Sequence, residues 1–354
     1  MSKKAMIAMS GGVDSSVAAF LAIEQGYSCV GGTMRLCDKA LLGQEPVDNV
    51  SDAQAVATAL GIGFYQFDST GAFRQMVVSP FVQAYEEGLT PNPCILCNRY
   101  LKFDLFLEKA LELGFDYVVT GHYARIRKDP DSGRFLLCKA PDAVKDQSYF
   151  LAGLNQHQLA HTLFPLGELT KEQVRQIAQE QGFVTARKKD SQDICFIPDG
   201  DYFAFMQRYT GKTYPCGDFL DMNGQVVGKH NGAVAYTLGQ RKGLGIALGE
   251  PVYVCDKDME KNTVTVGPNE ALFATTLVAK DWNWICIPDL AEPIQVTAKA
   301  RSRHQEQPAT VYPMENGWAK VVFDTPQRAI TPGQAVVLYQ GDVVVGSGTI
   351  ITTE

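Results

Sequence analysis

A glycine- and serine-rich loop near the start of the chain limits the fold more than any other feature. The loop has the sequence SGGVDSS at residues 10–16, and it follows an apolar run of strand length at residues 5–9. Val17, Phe20 and Leu21 then have helical spacing, so the loop should join a strand to the N-terminus of a helix. Glycines allow close backbone approach, and a helix N-terminus offers free N–H groups and a positive dipole end. This combination predicts a phosphate or pyrophosphate site.

Two common phosphate-binding loops differ from this one. It lacks the lysine of the Walker loop, so transfer of a γ-phosphate is not indicated, and it lacks the G-x-G-x-x-G spacing of dinucleotide-binding folds. Asp14 could hold Mg²⁺ beside bound phosphates. A simple turn of small residues is the structural alternative, but the position between a first strand and a first helix favours nucleotide binding.

Strand and helix patterns alternate over about the first 205 residues. Strand-like runs at 27–34, 64–68 and 117–120 alternate with helical patterns at 53–60 and 101–113, whereas residues 36–51 are predicted to form a loop. A capping-box pattern, Thr-x-x-Gln starting at residue 170, precedes a further helix. Alternation of this kind is typical of a parallel α/β sheet.

The pattern changes after residue 205. A glycine-rich stretch follows, and from Pro251 apolar and polar residues alternate with period two. Hairpin turns are predicted at Asn316-Gly317 and Gly341-Asp342. We therefore expect an α/β fold with three domains: a parallel-sheet catalytic domain at 1–205, a small central domain at 206–268 and a C-terminal antiparallel β-barrel at 269–354.

Composition narrows the class of protein. The chain has 354 residues, nine cysteines and a formal net charge of −7. Such a chain is not coated with basic residues, although local basic patches could still bind nucleic acid. No apolar run reaches the ~18 residues that span a bilayer, and the start does not resemble a signal peptide. We therefore expect a cytoplasmic protein with no membrane partner and with reduced cysteines.

Three cysteines have settings that suggest chemistry. Cys94 and Cys97 lie in TPNPCILCN at residues 90–98, ahead of a predicted helix whose N-terminus would favour the thiolate. Cys195 follows Lys188 and Lys189, which should lower the pKa of its thiol. Buried cysteines and a zinc site are alternatives, but the chain has no second pair to complete a zinc site. Of the rest, Cys29, Cys138, Cys255 and Cys286 are predicted to be core residues, and Cys37 and Cys216 carry no prediction.

Basic residues form three local groups. Such groups could bind the phosphates of a nucleic-acid backbone. Basic residues on an ordinary solvent-exposed face would give the same sequence pattern. The first two are His122, Arg125, Arg127 and Lys128 after a strand end, and Lys145 with the residues that follow it. The third is Lys299, Arg301 and Arg303, which should share one face of a strand.

Together these motifs resemble those of the tRNA-specific 2-thiouridylase family. The similarity extends along nearly the whole chain: SGGVDSS at 10–16, TPNPCILCN at 90–98, TGHYARI at 120–126, KDQSYFL at 145–151, FPLG at 164–167, DSQDICFI at 190–197 and YTLGQRKGLGI at 236–246. The loop alone would indicate only the wider group of ATP pyrophosphatases.

The resemblance implies an ATP-dependent transferase that acts on tRNA. ATP would bind at the loop and adenylate the C2 oxygen of the wobble uridine, with release of pyrophosphate. A persulfide on Cys195, loaded by a cysteine desulfurase or a sulfur-relay protein, would attack C2. Cys97 would then act as a nucleophile, leaving a Cys97–Cys195 disulfide or liberating hydrogen sulfide. AMP would leave, and 2-thiouridine would remain.

The resemblance also implies site residues, position by position. The target base would have to be splayed out of the anticodon to reach them. The residues expected to bind ATP are Ala8, Met9, Ser10, Gly11, Gly12, Val13, Asp14, Ser15, Met34 and Gly121. Those expected to contact the base or the tRNA are Asn92, Pro93, Cys94, Lys145, Asp146, Gln147, Arg301 and Ser302.

Two positions depart from the family pattern. Ala8 replaces a small glycine, and Cys94 occupies a position where some members have an aspartate proposed as a general base. A thiol can act as a base only if its pKa is depressed. Cys94, Cys97 and Cys195 could instead hold three irons of a [4Fe–4S] cluster whose fourth iron binds sulfide. Persulfide and cluster both stay open at this point, and we favour the persulfide.

Two other functions are compatible with parts of the sequence. One is a different ATP-pyrophosphatase ligase that adenylates a small molecule, and the other is a non-catalytic iron–sulfur or redox-sensing module. The paired cysteines and the basic strand argue against the first, and the glycine-rich loop argues against the second. ATP–pyrophosphate exchange independent of tRNA would favour the ligase, and failure to bind nucleotide would favour the sensor.

Overall fold

A computed structural model describes residues 2–188 and 194–353. Their strands, in chain order, are β1 (Lys4–Ala8), β2 (Ser28–Arg35), β3 (Gly63–Asp68), β4 (Tyr117–Val119), β5 (Ala124–Lys128), β6 (Phe135–Lys139), β7 (Thr162–Leu163), β8 (Gly217–Leu220), β9 (Val226–His230), β10 (Tyr253–Asp258), β11 (Thr263–Gly267), β12 (Phe273–Trp284), β13 (Ile294–Lys299), β14 (Gln307–Pro313), β15 (Ala319–Arg328), β16 (Ala335–Gln340) and β17 (Val343–Thr353).

Most helices lie in the N-terminal half of the chain. The α-helices are Val13–Glu24, Lys39–Leu42, Asn49–Ala59, Thr70–Phe73, Ser79–Glu86, Pro93–Leu96, Phe106–Glu112, Ser148–Leu151, Gln156–Ala160, Lys171–Glu180 and Tyr202–Thr210. Wider π-helical segments occupy Arg74–Val78 and Cys97–Leu105, and short 3₁₀ turns occupy Ala233–Ala235, Asn269–Leu272 and Glu315–Gly317.

The N-terminal sheet is parallel, as the alternation of patterns predicts. Its strand order is β3-β2-β1-β4-β7, so β1 lies in the centre. Ala5, Met6 and Ile7 of β1 are completely buried because a parallel sheet is covered by helices on both faces. The SGGVDSS loop follows the carboxyl end of this central strand, where ligands of open α/β sheets bind.

The segment 36–51 contains helix where a loop was predicted. Asp38 accepts a hydrogen bond from Leu41 N and caps the helix Lys39–Leu42, and Asp48 caps the helix Asn49–Ala59. Both aspartates accept hydrogen bonds from N–H groups at the start of a helix. These caps stabilise the helices although the segment has only a weak helical pattern of apolar residues. The prediction for residues 36–51 is therefore wrong in part.

The helix predicted at 101–113 begins earlier than expected. Helical turns run from Pro93 through the π-helical segment Cys97–Leu105 to Glu112. Asn92 caps the first turn through Cys94 N, and Pro93 occupies its N1 position, which suits a residue without an N–H donor. Both cysteines of the TPNPCILCN motif therefore lie within the first turns of this helical stretch.

Six antiparallel strands close a C-terminal barrel, as expected. The order β12-β15-β14-β13-β16-β17 is closed by pairing of β12 with β17, which removes the sheet edges. The hairpin β5–β6 from the N-terminal half extends this sheet, because Cys138 of β6 pairs with Val343 of β17. The central region forms its own sheet, with the order β10-β11-β8-β9.

The basic strand face predicted at residues 299–303 is wrong. β13 ends at Lys299, and Arg301 and Arg303 lie in the bend beyond it. The strand stops there because the chain must reverse to enter β14, whose Gln307 pairs with Ala298. Within the described residues, no helix combines the length and apolarity needed to cross a membrane.

Candidate active site

A cleft of about 420 Å³ opens beyond the carboxyl ends of β1 and β4. Its size is typical of small-molecule sites. Gly12 is the N-cap residue of the helix Val13–Glu24, and it has no side chain that could accept hydrogen bonds from the first N–H groups. These N–H groups are therefore available to bind an anion. Nine of the ten residues predicted to bind ATP line the cleft: Ala8, Met9, Ser10, Gly12, Val13, Asp14, Ser15, Met34 and Gly121.

Gly11 is the predicted ATP-binding residue that does not line the cleft. Its φ is +70°, and a Cβ built on it would lie 2.2 Å from the carbonyl oxygen of Asn49. Glycine is therefore needed here for packing the loop against the helix Asn49–Ala59. Lys188 secures the same contact, donating to Gly11 O at 3.0 Å and to Asn49 Oδ1 at 3.1 Å, and it also pairs with Asp52.

Gly121 brings a second loop against the first. A Cβ at this position would lie 2.6 Å from the carbonyl carbon of Asp14. The loop after β4 therefore touches the backbone of the SGGVDSS loop, and any larger residue would separate them. The hydroxyls of the loop are used partly for its own shape, since Ser15 Oγ donates to Gly12 O at 3.1 Å and Ser16 Oγ contacts Thr185 Oγ1 at 3.0 Å.

The carboxylate of Asp14 is held by two partners from distant segments. Lys171 Nζ lies 2.6 Å from Oδ1 and 2.8 Å from Oδ2, and Tyr123 donates its hydroxyl to Oδ1 at 2.8 Å. Lys171 is only 5% exposed, and it lines the cleft. Sequence analysis missed it, and its position as the first residue of the capping-box helix was the available signal.

Lys102 connects the cleft to the cysteines and was also missed. Its Nζ lies 3.5 Å from Nε2 of His122, and both side chains line the cleft. Burial raises the pKa of the thiols of Cys94 and Cys97, and the charge of the Lys102 ammonium group partly offsets this rise, as it also does at Cys195. Lys102 follows Cys97 in the same helical segment, a spacing that could have indicated this role.

The grouping of His122 with Arg125 suggested a cationic contact for nucleic acid. The structure shows a neutral ring instead. Burial, and then the charge of Lys102, hold its pKa well below 6.5. Thr120 Oγ1 lies 2.7 Å from Nδ1, so the ring has partners on both nitrogens. The neutral imidazole therefore forms part of the cleft wall.

The structure places Cys94, Cys97 and Cys195 in the same region of the fold. The three thiols interact electrostatically with one another, and Cys97 packs in an apolar cluster with Ile194 and Phe196, the two neighbours of Cys195. Cys94 and Cys195 are exposed as whole residues and Cys97 is buried, although protein packs around the thiols of all three. The preceding residues 189–193, which belong to the basic run and to the DSQDICFI motif, lie outside the described residues.

The expectation that these thiols have depressed pKa values is wrong. Burial raises the pKa of Cys94 and raises that of Cys97 to about 11. A hydrogen bond to Cys37, followed by burial, raises the pKa of Cys195. Desolvation disfavours the thiolate more strongly than Lys102 and the helix N-terminus favour it.

Cys37 is the third residue that sequence analysis missed. The thiol of Cys195 lowers the pKa of Cys37, and Cys37 packs half-buried against the apolar cluster that contains Cys97. It lies after β2 in a segment predicted to be a featureless loop, so only the folded chain reveals the contact.

The residues expected to bind tRNA differ in their surroundings: some line the cleft and others are hydrogen-bonded within the protein. Lys145 and Gln147 line the cleft itself, and Gln147 Oε1 accepts a hydrogen bond from Tyr123 N at 2.9 Å. Asp146 is turned inward, where it accepts hydrogen bonds from Ala140 N at 2.9 Å and Ser148 Oγ at 2.7 Å. These partners assign Asp146 and Gln147 to shaping the cleft wall.

The C-terminal pair of expected tRNA contacts lies at a domain junction. Arg301 donates to Leu238 O of the central region at 3.0 Å and also to Thr331 Oγ1. Arg301 and Ser302 are half-buried, whereas Arg303 is exposed. The guanidinium of Arg301 thus joins the central region to the barrel.

Neither metal suggested by the sequence fits the donor sets of the described residues. Those residues include no group of three or more His, Cys, Asp or Glu side chains placed to hold a metal ion. Cys94, Cys97 and Cys195 therefore do not form a ready iron–sulfur site, and we derive no step through a cluster. The Asp14 carboxylate is occupied by Lys171 and Tyr123, so no step through Mg²⁺ is derived either.

Comparison with protein families divides the chain into three matched regions. Residues 3–199 match the tRNA methyl transferase HUP domain, residues 204–268 the tRNA methyl transferase PRC-barrel domain, and residues 274–350 the aminomethyltransferase beta-barrel domain. The names of these domain families refer to methyl transfer. Relatives that match along the whole chain are named for thiolation.

Two such relatives are tRNA-specific 2-thiouridylases MnmA. The protein from Acetivibrio thermocellus is 48% identical over 355 residues, covering 98% of this chain and 99% of the relative. That from Clostridium perfringens is 50% identical over 354 residues, covering 98% of both. A solved 4-thiouridine synthetase–RNA complex with bound ATP is similar over 58% of this chain and 50% of its own, at 15% identity and a TM-score of 0.36. This last similarity is too weak to support a functional argument.

Proposed function

The chain belongs to the tRNA-specific 2-thiouridylase family, and from this premise we propose that it replaces the C2 oxygen of the wobble uridine of tRNA by sulfur in an ATP-dependent reaction. Its substrates are ATP, a tRNA and a protein that delivers sulfur as a persulfide, such as a cysteine desulfurase or a sulfur-relay protein. The products are 2-thiouridine in tRNA, AMP and pyrophosphate. We also propose that it acts in the cytoplasm.

One observation carries the proposal: a single cation, Lys102, lines the nucleotide cleft and also interacts with Cys94, Cys97 and Cys195. Adenylation and sulfur transfer take place at the same carbon atom of the base. A nucleotide site and a thiol group must therefore be adjacent for the reaction to proceed, and Lys102 is common to both.

The residues of the cleft suit adenylation. The uridine O2 attacks the α-phosphorus, the bond from that phosphorus to the bridging oxygen breaks, and pyrophosphate leaves with the electron pair. The N–H groups at the start of the helix Val13–Glu24 favour the phosphates, and Lys102 adds positive charge to the cleft. Because Lys171 is paired with Asp14, its position in the cleft is set before ATP binds.

Cys195 is proposed as the carrier of sulfur. Its exposed side chain is accessible to a donor protein, while Cys97 is buried. In the scheme implied by the family, the terminal sulfur of the persulfide bonds to C2, a second cysteine attacks Cys195 Sγ, and the bond between the two persulfide sulfurs breaks. C2 then expels AMP and becomes a thiocarbonyl. Cys97 is the second cysteine in that scheme.

Cys94 is unsuited to act as the general base. Its raised pKa keeps the thiol protonated near neutral pH, and a protonated thiol cannot accept a proton. Together with Asn92 and Pro93 it is proposed to contact the target base. Lys145, Arg301 and Ser302 remain proposed tRNA contacts, of which Lys145 lines the cleft.

The test is mass spectrometry of wobble nucleosides after incubation of the chain with unmodified tRNA, ATP and a persulfide donor. We expect 2-thiouridine with the wild type and none with Cys195→Ser, which should still bind tRNA with nearly unchanged affinity. Cys216→Ser is the matched control, because it removes another exposed thiol. ATP–pyrophosphate exchange that proceeds without tRNA, and yields no thiouridine, would instead support a ligase for a small molecule.

A further inference from the structure

A short segment of the C-terminal barrel packs against the loop that leads into the TPNPCILCN motif. The barrel segment comprises residues 331–334, between β15 and β16, and the cysteine loop comprises residues 87–92. Gln334 donates from Nε2 to Thr90 O at 2.8 Å and to Pro91 O at 3.3 Å. One side-chain amide of the barrel therefore binds two successive carbonyl groups of the cysteine loop.

The backbones of the two segments are also in contact. Thr90 N donates to Pro332 O at 2.9 Å. Gly333 has a φ of +88°, and a Cβ built on it would lie 2.9 Å from both Thr90 N and Leu89 Cβ. This position therefore requires glycine for two reasons, the left-handed backbone and the close approach of the cysteine loop.

The barrel segment is itself anchored in the barrel. Gly333 N donates to Ile350 O at 2.9 Å, and Ile350 N donates to Gln334 O at 2.9 Å. Ile350 belongs to β17 and is buried in the barrel core. At the other end of the segment, Arg301 donates to Thr331 Oγ1. The amide of Gln334 is therefore presented to the cysteine loop from a fixed position.

The cysteine loop connects this contact to the first cysteine. Asn92 follows Pro91 directly, and its side chain caps the next helical turn by accepting a hydrogen bond from Cys94 N at 3.2 Å. Pro91 and Pro93 stiffen the chain on both sides of Asn92, because each proline ring fixes φ. A displacement of Pro91 should therefore move Cys94 as well.

We propose that Gln334 is a positioning residue for thiolation, which holds residues 92–94 where they contact the target base. This inference rests on the proposed function. Among the described residues, those that line the nucleotide cleft do not include Gln334, so it acts through the cysteine loop and not on ATP. Since misplacement of reacting groups by about 1 Å can cost on the order of a hundredfold in rate, loss of the amide should slow thiolation.

A purely structural role for Gln334 predicts a different result. If its amide served only to join the barrel to the N-terminal half, its loss would lower the thermal stability of the chain. Activity would then fall only in proportion to the unfolded fraction. A positioning role instead lowers kcat of the folded chain and leaves the KM for ATP unchanged.

The experiment compares Gln334→Leu with Gln340→Leu in the steady-state formation of 2-thiouridine by the full chain from unmodified tRNA, ATP and a persulfide donor. Leucine retains much of the side-chain volume and removes the amide donor. Gln340 is the matched control, because its Nε2 also donates to a carbonyl group, that of Gln295, but within the barrel. For Gln334→Leu we expect kcat to fall at least about tenfold and the KM for ATP to stay within about twofold of the wild type. Gln340→Leu should match the wild type in both.

Gly333→Ala is the second variant, and it disturbs the same contact through the backbone. Gly341→Ala is its control, because Gly341 has a similar left-handed φ of +61° but a Cβ there would meet none of the described atoms within 4 Å. Thermal unfolding gives the folded fraction of each variant, and the rates are corrected for it. Gly333→Ala should lower kcat more than Gly341→Ala does, again with an unchanged KM for ATP.

Wild-type kcat in folded Gln334→Leu, or a change in the KM for ATP alone, would overturn the proposal. A loss of rate that equals the unfolded fraction would do so as well, because it assigns Gln334 to stability. If Gln334→Leu does not fold, Gly333→Ala decides by the same criteria. If the wild type makes no 2-thiouridine, the proposed function fails, and the positioning role fails with it. An active wild type beside an equally active Gln334→Leu removes the positioning role alone.

Discussion

The ammonium of Lys171 lies 2.6 Å from Oδ1 of Asp14, although 157 positions separate the two residues in sequence. Lys171 is the first residue of the helix Lys171–Glu180, and Asp14 is the aspartate of the SGGVDSS loop. The pair therefore connects the loop to a helix from the other end of the N-terminal half. Its removal should affect both the stability of the chain and the geometry of the cleft.

Lys171→Met is expected to lower the free energy of unfolding by roughly 2 kcal/mol, between the values for exposed and for buried ion pairs. The reason is that the Asp14 carboxylate, a third exposed, loses its cation while Lys171 itself is almost fully buried. Urea denaturation monitors the change. Lys212→Met breaks the pair with Glu86 at the surface and should cost under about 1 kcal/mol. Equal losses in the two variants would contradict the importance of the buried pair.

Gly121→Ala should reduce ATP-dependent pyrophosphate release at least tenfold. Its Cβ would lie 2.6 Å from the backbone of Asp14, so the two loops of the cleft must separate. Gly63→Ala is the matched control, because a Cβ there would meet only Val30 Cγ1 at an ordinary 3.7 Å. The close approach would be irrelevant to catalysis if Gly121→Ala kept wild-type pyrophosphate release.

Alkylation should distinguish the cysteines by pH. The thiolate is the reactive form, so a lowered pKa brings the rate of Cys37 to its plateau at a lower pH than that of Cys97, whose pKa is about 11. Iodoacetamide labelling of each peptide between about pH 5 and 8, where most proteins are most stable, measures this order. Exposed Cys216 serves as an internal reference for accessibility. Faster labelling of Cys97 than of Cys37 would contradict this order of pKa values.

His122 should make stability depend on pH. Its folded-state pKa lies well below 6.5, so the unfolded chain binds more protons at mildly acidic pH. The stabilisation is then fully present above pH 6.5 and is lost as pH falls towards the folded-state pKa. Urea denaturation at pH 7.5 and 5.5 should show a fall of up to about 1 kcal/mol per pH unit below 6.5.

His122→Gln should flatten this pH dependence, because glutamine does not titrate. His157→Gln removes an exposed histidine and should leave the dependence as in the wild type. Identical pH profiles for the wild type and His122→Gln would show that another group is responsible.

Arg301 and Arg303 should have separable effects. Arg301→Ala removes hydrogen bonds to Leu238 O and Thr331 Oγ1 and is expected to cost about 1–2 kcal/mol of stability. Arg303 is exposed, so Arg303→Ala should leave stability unchanged and reduce the salt slope of tRNA binding by about one. Denaturation curves and tRNA titrations at several salt concentrations measure the two effects. Unchanged stability in Arg301→Ala, or a loss of stability in Arg303→Ala, would contradict this division, and a lower salt slope in Arg301→Ala as well would support its proposed tRNA contact.

Local patterns accounted for most elements of the fold and for the loop that lines the cleft. The strand–loop–helix pattern around Ser10–Ser16 places its residues next to one another in the cleft because they are neighbours in the chain. The capping box at Thr170 and Gln173 forms as predicted, since both hydrogen bonds lie within four residues. Where the prediction was wrong, at 36–51, two aspartate caps started helices that apolar periodicity did not reveal.

Electrostatic predictions from sequence neighbours were less successful. The basic residues before Cys195 suggested a low pKa for its thiol, and the helix N-terminus suggested the same for Cys94 and Cys97. All three values are raised, because desolvation and a hydrogen bond depend on what packs against a side chain. Those packing partners come from other parts of the chain.

The sequence by itself determined the parallel sheet, the barrel, the phosphate loop and the family, since each depends on residue types at short or ordered spacings. Only the tertiary structure decided that Lys171 neutralises Asp14, that Lys102 lines the cleft, and that Cys37 packs against the cluster that contains Cys97. Each of these contacts joins segments far apart in the chain, and its strength depends on burial that no local pattern specifies. For that reason the chemistry of the site, unlike its location, had to be taken from the folded chain.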